Sequence, residues 1–167
     1  MPCRVEPMAE RHRTGVLDIF NHYVAYGVAA YPDQPVSDAF FDRIREITKG
    51  YPALVVEDEG GDVIGFGFLH AYRSDTTFRR AAQISYFLRP EHTRQGLGTL
   101  LLERLKADAQ KQGIETLLAN ISSLNEPSLR FHRKHHFQES GRLRRIGIKH
   151  GQPFDVVWMQ LELFVNG

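Results

Sequence analysis

A chain of 167 residues, of which 42% are hydrophobic and 25% charged, has the composition of a globular domain, and we expect a single domain over residues 1–167. Its 21 Lys and Arg against 20 Asp and Glu leave a formal charge of +1, which argues against a nucleic-acid partner and against attraction to an anionic membrane. Cys3 is the single cysteine and cannot form an internal disulfide, and no apolar run reaches the roughly 18 residues of a membrane-spanning helix. We therefore expect a soluble, cytoplasmic protein without a membrane partner.

Hydrophobic periodicity in the first half of the chain predicts a strand, two helices and three further strands. In order, these are residues 3–7, a helix with Val16, Phe20, Tyr23 and Val24 on one face, a helix from Asp38 to about Lys49, and strands within 52–58, 63–72 and 81–88. Gly65 and Gly67 leave one face of the middle strand of these three without side chains. We expect another group to pack closely against that face.

The second half of the chain alternates helices and strands. Leu97, Leu101, Leu105 and Ala109 repeat every fourth residue and predict an amphipathic helix that Gly113 ends. A strand over 114–121, a short helix capped by Asn125, and strands over 137–148 and 154–163 follow. The order β-αα-βββ-α-β-α-ββ predicts a mixed α/β fold.

Two glycines, Gly96 and Gly98, lie between the strand over 81–88 and the leucine-rich helix. A helix that begins after a strand presents unpaired N–H groups and the positive end of its dipole, so an anion such as phosphate can bind there. A Walker loop is excluded because no Gly-Lys-Ser/Thr follows, and the third glycine of a dinucleotide fingerprint would fall at Leu101. A tight turn with no ligand is the alternative.

The stretch "TRQGLGTLLLERL", residues 93–105, resembles the pyrophosphate-binding loop and helix of the GNAT acyltransferase superfamily, with Thr93 where the pattern Gln/Arg-x-x-Gly-x-Gly/Ala has Gln or Arg. The resemblance implies acetyl-CoA as the acyl donor, and we expect no metal cofactor. It places the pantetheine arm along a splayed strand and an asparagine contact on the following helix. The implied cofactor-binding residues are Tyr86, Phe87, Leu88, Arg94, Gln95, Gly96, Leu97, Gly98, Thr99, Asn125 and Ser128.

Four further stretches resemble the phosphinothricin and methionine sulfoximine N-acetyltransferase branch of this superfamily. They are "IFNHYV", "YPALVVED", "ISSLNEPSLRFHRKHHF" and "IKHGQPFDVVWMQLEL". The resemblance implies a GNAT-like α/β fold with a mixed, mostly antiparallel central sheet of about seven strands flanked by four helices, two central strands being splayed at the CoA site. It also implies a homodimer that acetylates the α-amine of a small, anionic amino-acid analogue.

The catalytic residues of that branch are only partly matched. The branch places a histidine on the helix after "NEPS", where this chain has His132, and a glutamate on the strand before the glycine loop, where this chain has Gln83. An amide cannot act as a base. The carboxylate's role at Gln83 is therefore lost, moved to another residue or replaced by water.

Six residues on loops are candidates for binding the acceptor. Arg73, at a strand end beside Ser74 and Asp75, could donate two hydrogen bonds to an acid group, and the resemblance implies that the turn residues Lys149 and His150 help to shape the acceptor pocket. Tyr31 lies in a proline-bearing loop of a kind that can line a pocket. Purely structural roles remain open for all six.

Three other functions remain open from the sequence. An acetyltransferase for a polyamine, drug or protein amine would be favoured by an extended acidic groove. A CoA-binding module without catalysis is suggested by Gln83. The third is a nucleotide enzyme with a phosphate-binding loop, for which we expect ATP to bind instead of CoA.

Overall fold

The computed structural model describes residues 2–164 and confirms the predicted order of helices and strands. The elements are β1 (Arg4–Pro7), α1 (Arg13–Tyr26), α2 (Asp38–Ile47), β2 (Ala53–Glu57), β3 (Val63–Ala71), β4 (Ala81–Leu88), α3 (Leu97–Lys111), β5 (Thr116–Ser122), α4 (Glu126–Lys134), β6 (Gln138–Lys149) and β7 (Gln152–Glu162). Helix α2 ends at Ile47, shortly before the predicted Lys49, and its C-cap Thr48 donates its hydroxyl to the Ile44 carbonyl at 2.8 Å. No helix in the described part of the chain has the length and apolar composition to cross a membrane.

The seven strands form one sheet in the order β1-β2-β3-β4-β5-β7-β6. Every neighbouring pair is antiparallel except β4 with β5. Two hydrophobic clusters lie on opposite faces of the sheet, one with residues of α1 and α2 and the other with residues of α3 and α4. The predicted mixed sheet with four flanking helices is confirmed.

Strands β4 and β5 pair over three residues only, from Ala81 with Thr116 to Gln83 with Leu118. Strand β4 continues to Leu88 and stays paired with β3, while β5 continues to Ser122 and stays paired with β7. The two central strands therefore part after Gln83, which confirms the predicted splay.

Helix α3 packs closely on β3 because two glycines leave room for it. A Cβ atom at Gly67 would lie 2.9 Å from the Cβ of Tyr86 and 3.2 Å from Cδ1 of Leu105, and one at Gly65 would lie 2.6 Å from Cδ2 of Leu88. Leu101 and Leu105 are fully buried at this contact. The close packing expected at both glycines is confirmed.

We predict that Gly67→Ala lowers the free energy of unfolding by about 1–3 kcal/mol, because the added methyl group overpacks the contact between β3, β4 and α3. Gly60→Ala is the control, since its Cβ would meet only Asp58 Oδ1, at an ordinary 3.4 Å. Urea denaturation measures both. A Gly67→Ala variant as stable as Gly60→Ala would contradict the packing described.

Candidate active site

A cleft of about 320 Å³ lies where β4 and β5 part, and it is lined from both faces of the sheet. Aromatic side chains from the α1–α2 face line much of it, among them Phe20, Phe40, Phe66 and Phe68. Its titratable side chains are Tyr31, His70, Tyr86 and His132. Within residues 2–164, no Asp, Glu, Lys or Arg lines this cleft.

The loop between β4 and α3 exposes a run of peptide nitrogens. Arg94 and Gly96 have φ of 62° and 83°, and Gly96 is the N-cap of α3, with its carbonyl accepting from Leu100 N at 3.0 Å. In the described chain, the backbone N–H groups of residues 94–99 have no hydrogen-bond partner. With the positive end of the α3 dipole, these groups fit an anionic ligand such as a pyrophosphate.

Gly98 has a packing role in addition to its place in this loop. A Cβ at Gly98 would lie 3.3 Å from Cε2 of Phe131, so the missing side chain lets α4 pack against the first turn of α3. Thr99 Oγ1 lies 3.1 Å from Nε2 of His135, which joins the same two helices. The C-terminal end of the loop between β4 and α3 is thus held against α4.

His132 is buried on α4, and both of its ring nitrogens have partners. Nδ1 lies 2.7 Å from the Ser128 carbonyl, which can only accept, so Nδ1 carries the proton. Nε2 lies 2.6 Å from the Tyr86 hydroxyl and accepts a hydrogen bond from it. Burial lowers the pKa of His132 to about 4, and burial also raises the pKa of Tyr86 well above its ordinary value, so both groups are neutral near pH 7.

Asn125 caps α4 as predicted, its Oδ1 accepting from Ser128 N at 3.3 Å. Both side chains also line the cleft. The cap fixes the turn of helix whose Ser128 carbonyl holds the His132 ring, so helix capping and the orientation of His132 are coupled.

Gln83 occupies the last paired position before the strands part. Its Oε1 accepts from Asn120 Nδ2 at 3.3 Å, and its cross-strand partner on β3 is His70. His70 Nδ1 lies 3.1 Å from the carbonyl of Ala71 and donates to it. All three side chains, Gln83, Asn120 and His70, line the cleft.

The other predicted cofactor residues of β4 lie on its splayed part. Phe87 packs into an aromatic cluster, with ring centroids 5.3 Å from Phe20 and 5.4 Å from Phe66. The Leu88 carbonyl accepts from the Tyr23 hydroxyl at 2.6 Å, so this carbonyl already has one partner. In the loop, the side chain of Gln95 bonds the carbonyl of Glu91 at 3.3 Å.

Tyr31 lines the cleft from the loop between α1 and α2. Its ring stacks on Phe154 of β7, with centroids 5.8 Å apart and planes 2° from parallel. Burial raises the pKa of its hydroxyl to about 12, so the hydroxyl is neutral and able to donate.

The residues Arg73, Ser74 and Asp75 lie in the exposed connection between β3 and β4 and do not line the cleft. Arg73 Nε donates to Asp75 Oδ2 at 3.2 Å, and its guanidinium lies 5.7 Å from the ring centroid of Phe78. Their predicted role in binding the acceptor stays a prediction.

Lys149 is buried and lies outside the cleft lining. Its ammonium donates to three carbonyls, those of Tyr23 at 3.0 Å, Gly27 at 2.9 Å and Ala30 at 2.5 Å. Tyr23 lies near the end of α1, and Ala30 is the residue before Tyr31, so Lys149 fixes the loop that lines the cleft. His150 is exposed in the following turn, with φ of 51°, and does not line the cleft.

Several polar residues of the cleft lie outside the set of site residues predicted from the sequence. His70 and Asn120 are two of them, and the prediction for Tyr86 concerns its place on the splayed strand and not the contact of its hydroxyl with His132. The alternation of Phe66, Phe68 and His70 on one strand face was the available signal, because period-two spacing places them on the same side of the sheet.

The match to known families covers most of the chain. The profile of the acetyltransferase (GNAT) family matches residues 16–137. The chain belongs to the GNAT acetyltransferase family. This confirms the family predicted from the glycine loop and the prediction of an acyltransferase.

Individual relatives of this GNAT protein agree with the predicted branch. An L-methionine sulfoximine/L-methionine sulfone acetyltransferase of Pseudomonas aeruginosa is 35% identical over 154 residues, which covers 89% of this chain and 88% of the relative. An L-amino acid N-acyltransferase of Escherichia coli is 35% identical over 152 residues, covering 89% and 87%. A crystal structure of a phosphinothricin acetyltransferase from Sinorhizobium meliloti in complex with AcCoA superposes with a TM-score of 0.90 at 31% identity, covering 97% of this chain and 89% of that one.

We predict that Lys149→Met lowers the free energy of unfolding by about 2–3 kcal/mol, because three carbonyls lose a charged donor inside the protein. Lys49→Met is the matched control, since Lys49 makes an exposed ion pair with Glu46 at 2.7 Å and should contribute less than about 1 kcal/mol. Chemical denaturation at neutral pH compares the two. Equal effects would contradict a structural role for Lys149.

Proposed function

We propose that this protein transfers the acetyl group of acetyl-CoA to the α-amine of a small amino-acid-like acceptor of the methionine sulfoximine, methionine sulfone or phosphinothricin type. The observation that carries the proposal is the run of unpartnered N–H groups at residues 94–99, which follows β4. The edge of β4 that faces β5 is unpaired after Gln83, beside a cleft of about 320 Å³. The names of the relatives and the acetyl-CoA in the S. meliloti structure support it.

The donor side of the reaction fits the face of the sheet that carries α3 and α4. Acetyl-CoA supplies the activated acetyl carbon and a thiolate leaving group. The N–H groups of residues 94–99 bind the pyrophosphate, and the open edge of β4 from Ile84 to Leu88 offers backbone groups to the pantetheine arm. No role for a metal ion is proposed.

Tyr86 and His132 are the candidates for protonating the departing thiolate. Both residues line the cleft, the Tyr86 hydroxyl donates to Nε2 of His132 at 2.6 Å, and His132 is fixed in turn by Ser128. Tyr86 donates its proton to sulfur and recovers one from solvent, while His132 holds the hydroxyl in position. His132 therefore has a positioning role, and Tyr86 supplies the proton.

The size and charge of the cleft favour a small acceptor over a polyamine. A polyamine site would offer carboxylates, and within residues 2–164 none lines the cleft. The amide groups of Gln83 and Asn120 and the Tyr31 hydroxyl offer hydrogen bonds to a small polar acceptor. Arg73, Ser74, Asp75 and His150 remain proposed partners of its acid group from the connections outside the cleft.

We predict that the protein releases free thiol from acetyl-CoA when methionine sulfone, methionine sulfoximine or phosphinothricin is the acceptor. We also predict that Gly96→Ala raises the Kd for acetyl-CoA about tenfold or more. Gly113→Ala is the matched control, because Gly96 and Gly113 flank α3, have φ of 83° and 78°, and leave equally open space around an added Cβ. Equal Kd values for the two variants would contradict cofactor binding at residues 94–99. Turnover with spermidine but with none of the three amino-acid analogues would contradict the proposed acceptor.

We further propose a homodimer in the cytoplasm, with β6 at or near the interface. In the described chain β6 pairs with β7 alone, and it carries the exposed side chains Leu143, Ile146 and Ile148, which are 46%, 58% and 71% accessible. An exposed apolar edge strand is a common site of association.

The dimer predicts twice the monomer mass in light scattering after size exclusion. Ile146→Lys with Ile148→Lys should shift the protein to monomer, because two desolvated charges oppose association. Tyr26→Lys, at a side chain that is 81% accessible on α1, should leave the mass unchanged. A parent protein of monomer mass at micromolar concentration would contradict the proposal.

A further inference from the structure

The cleft has no carboxylate base at the position where the resembled branch has one. That position is Gln83, whose amide can donate and accept hydrogen bonds but does not take up a proton near neutral pH. No Asp or Glu in the described chain lines the cleft, so none is in place to substitute for it. An acceptor amine that is protonated in solution still has to lose a proton before it can attack the thioester.

Two histidines line the cleft, and only one of them has a free nitrogen. His132 is bonded at both ring nitrogens, to Ser128 and to Tyr86. His70 is bonded at Nδ1 to the Ala71 carbonyl, so its Nε2 carries the lone pair. That nitrogen has no partner within residues 2–164 and is not fully buried, so it is available to a ligand in the cleft.

His70 is also placed beside the lost carboxylate position. It is the direct cross-strand partner of Gln83, and directly opposite residues in an antiparallel pair lie on the same face of the sheet. Phe68 and Phe66, which lie two and four residues before His70 on β3, share that face and belong to the core cluster of α1 and α2. Tyr86 differs from Gln83 by an odd number of positions along β4, and its side chain packs on the opposite, α3–α4 cluster.

We propose that His70 is the general base of this enzyme and replaces the carboxylate that position 83 lacks. The inference rests on the proposed acetyl transfer. His70 Nε2 accepts a proton from the acceptor nitrogen, directly or through one water, and passes it to solvent. The nitrogen lone pair forms the C–N bond, the C–S bond breaks with its electrons on sulfur, and sulfur takes the proton of Tyr86.

The protons released and taken up in the reaction balance with this assignment. Two protons leave an ammonium group that becomes an amide N–H, and His70 takes each in turn and releases it to water. One of these balances the proton that Tyr86 recovers after giving its own to sulfur, and the other is the net proton of the reaction. Burial lowers the pKa of His70 below its ordinary 6.5, which keeps Nε2 free to accept near pH 7.

The test compares His70→Gln with His22→Gln, a histidine on α1 that does not line the cleft. We expect His70→Gln to lower kcat about 100-fold or more while the Kd for acetyl-CoA changes less than about twofold, and His22→Gln to keep the parent values. Adding Gln83→Glu to His70→Gln should restore kcat at least about tenfold, because a carboxylate then occupies the facing position. A structural role for His70 would give no such rescue.

The pH profile of kcat/KM provides a second readout. A protonated His70 cannot accept, so the parent should lose activity as the pH falls through the pKa of His70, and this loss should be absent in His70→Gln. The other titratable groups lining the cleft are Tyr31, Tyr86 and His132, and a loss due to His132 would appear near pH 4. Parent turnover that survives His70→Gln would overturn the role of His70 alone, whereas a parent that binds acetyl-CoA but acetylates no amine would overturn the proposed function with it.

Discussion

Backbone pairing between β4 and β5 ends at Gln83 and Leu118, although both strands run several residues further. Each strand keeps its other neighbour, β3 for β4 and β7 for β5, so the sheet stays intact while one edge of β4 and one of β5 open into a cleft. Buried peptide groups need hydrogen-bond partners, so an open edge inside a sheet is a site where a ligand with amide groups can bind. The loop at residues 94–99 adds a second set of unpartnered N–H groups at the end of the same strand. The proposed cofactor surface combines this open edge with the loop, and the proposed acceptor cleft lies where the two strands part.

The same interruption places the residues of the two proposed proton transfers on opposite faces of the sheet. Tyr86 and His132 lie with the cluster of α3 and α4, where the donor is proposed to bind, and His70 and Gln83 lie on the face of Phe66 and Phe68. Since the two sets face the cleft from opposite sides, one side can change its residues without disturbing the other. Exchange of a carboxylate for an amide at position 83 can thus be offset across the strand pair, at His70.

Much of the fold was predictable because it depends on local patterns. The four-residue repeat of Leu97, Leu101 and Leu105 predicted α3, and hydrophobic periodicity predicted the strands. The glycine loop with its flanking helix indicated the family. The side-chain partners could not be found in this way, because they depend on register and packing. His70 faces Gln83 because of the register between β3 and β4, which a connection of nine residues joins. Lys149 reaches the end of α1 because of the way the β6–β7 turn packs.

Hydrogen exchange of the backbone amides, with and without acetyl-CoA, tests the central claim directly. If the unpartnered N–H groups of residues 94–99 and the open edge of β4 bind the cofactor, their amides should gain protection in the complex, while the amides of β6 should not change. Unchanged exchange at both segments, under conditions where calorimetry shows that acetyl-CoA is bound, would contradict the account.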